Sequence, residues 1–131
     1  MNPNLFEPSS TAKTFKGRTG LDRIAHAAGY SRDGLMAAFR GEAAFRQLVL
    51  LNLALIPLAF LLDVNSAERA LLILVTMLTL VVELLNSAIE ATIDRISLDV
   101  HPLSAQAKDM GSAAQLLTLA TGGLVWAVIL L

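Results

Sequence analysis

The sequence predicts an all-α membrane protein in which three transmembrane helices follow an amphipathic surface helix. The first observation is bulk composition: 55% of residues are hydrophobic and only 16% charged, with a mean hydropathy of +0.62. A soluble domain carries about 25% charged residues. The second is the distribution of that hydrophobicity into three segments, residues 45–62, 70–89 and 112–131. The last two approach the ~20 residues needed to cross a ~30 Å hydrocarbon core. The third is the low aromatic content, 5%, which leaves nothing to build the girdles of a transmembrane β-barrel. A chain of 131 residues supports one domain. Its net charge of −1 offers no footprint for nucleic acid. With no cysteine, disulfides, thiolate nucleophiles and zinc–thiolate sites are excluded.

Residues 1–19 are polar, with Pro3, Pro8 and a Ser/Thr cluster, and contain no apolar core of a signal peptide. They are expected to be a flexible extension preceding a membrane domain over residues 20–131. The surface helix is placed at about residues 20–40. Leu21, Ile24, Ala25 and Ala28 recur at helical spacing, and Leu35, Ala38 and Phe39 continue the stripe after a break at Gly29. Thr19 followed by Asp22 suits its start, and such a helix is expected to lie on the bilayer surface.

The first span carries Asn52 and Pro57; the proline removes one backbone bond to Leu53 and is expected to kink the helix. Asn65 with Glu68 marks the start of the second span, and Ser104 after Pro102 that of the third. Trp126 is placed in the outer interfacial belt. Gly111, Gly122 and Gly123 are assigned to close helix packing. Orientation follows from the cations. Lys13, Lys16, Arg18, Arg23, Arg32, Arg40 and Arg46 precede the first span, only Arg69 flanks the next turn, and Arg95 and Lys108 lie in the second loop. The positive-inside rule therefore puts the N-terminus and the second loop in the cytoplasm.

Acidic residues in the second apolar helix carry the functional signal. Glu83, Glu90 and Asp94 fall within about 40° of one another on one helical face, with Asn86 about 60° aside. An ionisable group at membrane depth costs a few kcal/mol or more and normally faces a bundle interior. Counting from Arg69, Glu83 lies about 21 Å in, Glu90 about 32 Å and Asp94 about 38 Å. Lys108 and Asp109 open the third span at the inner boundary, and Glu42 and Arg46 close the amphipathic segment there. Glu42 and Arg46, four residues apart, also fit a plain surface ion pair, and Asn86 fits interhelical hydrogen bonding.

The chemistry this collection fits is phosphoryl transfer to a lipid hydroxyl, which needs positioning and charge neutralisation more than covalent catalysis. Two carboxylates can hold magnesium together with substrate phosphates. A lysine can neutralise the transferring group, and a poorly solvated carboxylate can accept the hydroxyl proton. No P-loop and no protein-kinase motif occurs. A cation-binding site with another use, as in a small proton-coupled transporter, fits Glu83 but leaves Glu42, Glu90, Lys108 and Asp109 without a role. A structural membrane subunit leaves the acid face unexplained.

Four blocks together resemble the small prokaryotic diacylglycerol kinases: ELLNSAIEATIDRI (83–96), AKDMGSA (107–113), GEAAFRQ (41–47) and AAGYS (27–31). The resemblance covers about residues 20–131, and the first two blocks are its most specific part. It implies a homotrimer of three-span subunits in the bacterial inner membrane, with active sites shared between neighbours. It also implies magnesium-dependent transfer of the ATP γ-phosphate to diacylglycerol. By matching motif, Glu83 is implied as the general base, with Asn86 orienting it. Glu42 and Glu90 are implied as metal ligands contacting ATP through the metal. Lys108 and Asp109 are implied at the ATP, Lys108 neutralising the phosphoryl charge. Tyr30, Asp99 and His101 are implied at the nucleotide, and Arg23 and Ser112 on the lipid side. The segment LDVHPLSAQ (98–106) departs toward the related undecaprenol kinases of the same fold, which makes undecaprenol the alternative lipid.

Overall fold

The structure, a computed structural model, describes residues 19–131. Among these there are four α-helices and no strand: α1 (Gly20–Gly41), α2 (Ala43–Leu61), α3 (Ser66–Ile96) and α4 (Pro102–Leu130). The extension expected at residues 1–19 lies, but for Thr19, outside the described residues. The helices α2, α3 and α4 are each long and apolar enough to cross a membrane.

The chain divides into two units, the first reaching Met36 and the second running over Ala37–Leu131. In the first, α1 is ruled by local contacts. Asp22 Oδ1 lies 3.6 Å from His26 Nε2, and the His26 and Tyr30 rings are 6.5 Å apart. Ser31 Oγ donates to the Ala27 carbonyl at 2.9 Å. The helix runs unbroken through Gly29, so the break expected there does not occur. An isolated glycine costs about 1 kcal/mol relative to alanine, too little to end a helix supported on both sides. Leu21, Ile24, Leu35 and Met36 are exposed.

In the second unit α3 is the spine. Helices α2 and α4 each pack against it and not against each other. Its buried residues Leu72, Val75, Thr76, Thr79 and Glu83 recur every three or four positions and form one inward stripe. Phe45, Leu48, Asn52 and Ala59 form the corresponding stripe of α2. Asn52 Nδ2 donates to Thr79 Oγ1 at 3.2 Å across the pair. Such interhelical bonds average about 0.6 kcal/mol in membranes.

The sequence signals for helix ends are partly realised. Asn65 and Glu68 form a reciprocal capping box, so α3 begins four residues before the apolar run. It continues to Ile96, and its 31 residues span about 46 Å, more than a ~30 Å core. Helix α4 begins ten residues before the expected span. Pro102 occupies its first turn, and the N-cap is His101, whose Nδ1 accepts from Leu103 N at 3.2 Å. Ser104, expected at the start, is already inside the helix. Pro57 is accommodated within α2.

Gly111 and Gly122 are buried on α4. A Cβ at Gly111 would collide with Asn86 Oδ1, and one at Gly122 would stand 3.8 Å from the Val75 carbonyl. Gly123 faces open space and plays no packing part. Trp126 Nε1 donates to Thr76 Oγ1 at 3.1 Å, because an indole N–H beside a partly buried helix face takes the nearest acceptor.

Candidate active site

The inward stripe that begins with Leu72 ends in carboxylates. Glu83 is 6% exposed because it continues the packing register of Thr76 and Thr79. Asn86 and Glu90 prolong the same face by two further turns. Helix α2 brings Glu42 to this face from its N-cap position, and α4 brings Ser112 and Gln115. Together Glu42, Glu83, Asn86, Ser87, Glu90, Ser112 and Gln115 line a cavity of about 320 Å³. Five of the residues singled out in the sequence, Glu42, Glu83, Asn86, Glu90 and Ser112, thus meet in one place.

Inside this cavity the groups are held unequally. Asn86 Nδ2 donates to Glu90 Oε1 at 3.3 Å, which fixes the Glu90 carboxylate and turns Asn86 Oδ1 toward Gly111, where it is buried without a partner. Two further carboxylates, Glu42 and Glu90, share the cavity with Glu83 and repel its charge. Glu42 is not paired with Arg46, as a surface ion pair would require. Arg46 instead donates to the Phe39 and Arg40 carbonyls, at 3.0 and 3.2 Å, closing the free carbonyls at the end of α1. Among the described residues no group of three or more His, Asp or Glu stands close enough to hold a metal by itself.

One turn further along the α3–α4 seam lies a second cavity, of about 400 Å³, lined by Ile93, Asp94, Ser97, Asp99, His101 and Lys108 among others. Here Lys108 Nζ lies 2.7 Å from Asp94 Oδ1. Asp94 shares a helical face with Glu83 and Glu90, yet it serves this second cavity: eleven residues separate it from Glu83, about 16 Å of rise. Asp99 and His101 line the same space, with Asp99 N bonded to Ser97 Oγ at 3.0 Å. Asp109 is exposed and lines neither cavity. Arg23 and Tyr30 belong to the first unit, where both are exposed.

Two lining residues escaped the sequence reading. Gln115 donates Nε2 to the Thr79 carbonyl at 3.3 Å and buries its Oε1 without a partner. Ser87 adjoins Asn86. Gln115 could have been found as a polar residue inside an apolar span; Ser87 gave no signal beyond its neighbours.

The prokaryotic diacylglycerol kinase family model matches residues 29–130. A relative from Pseudomonas aeruginosa called diacylglycerol kinase is 68% identical over 117 residues, 89% of this chain and 95% of that protein. Its namesake from Escherichia coli K12 is 50% identical over 112 residues, 86% of this chain and 92% of the relative. A third, from Helicobacter pylori 26695, is 46% identical over 121 residues, 92% and 90% of the two chains.

Proposed function

The chain belongs to the prokaryotic diacylglycerol kinase family, and from that premise we propose that it transfers the γ-phosphate of ATP to diacylglycerol, forming phosphatidic acid. The observation that carries the reading is the cavity in which Glu42, Glu83, Asn86, Glu90 and Ser112 converge on the α3 spine. The protein is a multi-pass membrane protein. The excess of Lys and Arg before α2 supports a cytoplasmic N-terminus in the bacterial inner membrane, with α1 on its surface and ATP reaching the site from the cytoplasm.

Glu83 is the proton acceptor of the reaction. Its place on the inward stripe keeps bulk water away, and it is the one buried carboxylate among the three that line the cavity. As Glu83 takes the proton from the lipid hydroxyl, that oxygen forms a bond to the γ-phosphorus. The bond from phosphorus to the β,γ-bridging oxygen breaks, and ADP leaves. Lys108 lines the second cavity and meets the phosphate chain there. Asp99 and His101 line the space for the rest of the nucleotide. Ser112, Arg23, Tyr30 and Asp109 retain the roles the family resemblance gives them, on the lipid or the nucleotide.

Magnesium fits this donor set. Glu42 and Glu90 share the cavity from two different helices, and an ion held by these two carboxylates would complete its shell with phosphates and water. When bound, it neutralises charge on the transferring phosphoryl group. Asn86 orients Glu90 for that task. The homotrimer with shared sites is supported by the open flanks of α2 and α4, which pack on α3 alone.

The test is transfer of labelled γ-phosphate in detergent micelles, with diacylglycerol and undecaprenol offered in parallel. Faster phosphatidic acid formation, abolished by Glu83→Gln, is expected. Preference for undecaprenol would keep the mechanism and change the lipid. No transfer to either lipid from folded protein would overturn the kinase reading.

A further inference from the structure

Lys108 and Glu90 carry opposite charges along one seam, and their interaction is felt at Lys108. Yet each is bonded elsewhere: Lys108 Nζ to Asp94 Oδ1 at 2.7 Å, and Glu90 Oε1 to Asn86 Nδ2 at 3.3 Å. Asp94 follows Glu90 by one helical turn, so a small swing of the lysine side chain would exchange one carboxylate for the other. An ammonium seated on Glu90 would compete with a dication for the same oxygen atoms. We infer that Asp94 is a positioning residue that stations Lys108 in the second cavity, within reach of an anionic phosphate chain but off Glu90, so that Glu42 and Glu90 remain available to the metal. This rests on the kinase reading above and adds a residue to it.

The character of the pair suits that task. The Lys108 and Asp94 side chains are 39% and 49% exposed, and pairs of such exposure are held weakly enough to be exchanged. A triphosphate entering the second cavity offers Lys108 several anionic oxygens in place of one carboxylate. Asp94 as a metal ligand in its own right is the competing reading. Against it, Asp94 lines the cavity that lacks Glu42 and Glu90, and no third carboxylate joins a metal-holding group among the described residues.

Manganese binding to the full chain in detergent micelles, followed by electron paramagnetic resonance without nucleotide, tests the inference. Phosphate transfer is measured alongside. Asp94→Asn is expected to weaken manganese binding by about fivefold to tenfold, the effect of one misplaced unit charge near a partly solvated site. Lys108→Met in the Asp94→Asn background is expected to restore binding to within about twofold of the parent while transfer stays lost. Asp94→Glu should keep binding near that of the parent.

Unchanged binding in Asp94→Asn would overturn the inference. So would failure of the second substitution to restore it, which would make Asp94 a ligand or a purely structural residue. A parent protein that neither binds manganese nor transfers phosphate would instead sink the kinase reading itself.

Discussion

Gly111→Ala tests the link between helix packing and the cavity. A Cβ on Gly111 overlaps Asn86 Oδ1 and stands 3.3 Å from Asn86 Cγ and 3.9 Å from its Cα. The collision has two outlets. Helix α4 can move off α3, at a cost of about 1–3 kcal/mol for an overpacked contact. Alternatively Asn86 can rotate, which breaks its 3.3 Å bond to Glu90. A bond to a charged group is worth about 1.5–3 kcal/mol, and its length puts this one at the lower end. A loss of about 1.4 kcal/mol is tenfold in rate or in metal half-saturation.

The expected outcome is therefore a drop in thermal stability, or a magnesium requirement raised about tenfold, or a share of both. Gly123→Ala is the matched control, since nothing lies within 4 Å of its Cβ position. It should leave stability and kinetics unchanged. The double variant Gly111→Ala with Asn86→Ala removes the colliding oxygen and should regain stability without regaining full activity. Unfolding curves and magnesium titrations of the four proteins decide the matter. Parental stability and parental magnesium dependence in Gly111→Ala would refute the packing described here.

Glu83→Gln should lower turnover by at least about a hundredfold, the contribution of a general base, while nucleotide binding by equilibrium titration stays near the parent. Binding lost to the same extent as in Glu90→Gln would argue against separate roles for the two acids. Glu42→Gln should inactivate at low magnesium and recover partly in excess; indifference to magnesium would remove Glu42 from the ligand set. Arg69→Leu deletes donors to the Ala59, Leu62 and Val64 carbonyls. It should cost about 1–3 kcal/mol of stability with kcat unchanged, and a fall in kcat at constant stability would place Arg69 in the reaction instead.

Sequence periodicity reached the helices and the acid face because both are properties of single segments. Glu83 was legible as inward because an ionisable group within an apolar span normally faces a bundle interior, and the Asn65–Glu68 cap is a local signature. What periodicity could not supply was partnership between segments. Asp94 lies on the Glu83 face by angle, yet its partner is decided by Lys108 from α4, fourteen residues away. Arg46 stands four residues from Glu42 but turns to the carbonyls that end α1. Trp126, near the end of an apolar run, gave no sign of its bond to Thr76 on the neighbouring helix. The apolar part of α4 was placed from residue 112 because the stretch from Pro102 to Asp109 is polar, although Ser104 after Pro102 marked the helix start to within two residues. Its helicity comes from a capping histidine and a proline in the first turn, signals that hydropathy does not carry.

The guanidinium of Arg69 has a bearing on how the chain is made. By bonding three carbonyls where α2 gives way to α3, it seals the turn of that hairpin with groups drawn from the hairpin itself. The Asn52–Thr79 bond fastens the two helices partway along. A nascent chain that has reached Ile96 therefore already holds a paired unit, whereas α4 has only the seam along α3 to dock on. Insertion as a hairpin followed by later docking of one helix agrees with membrane assembly in two stages, insertion and then association. The carboxylates of α3 face that vacant seam in the interval, so the site comes into being only when the last helix arrives.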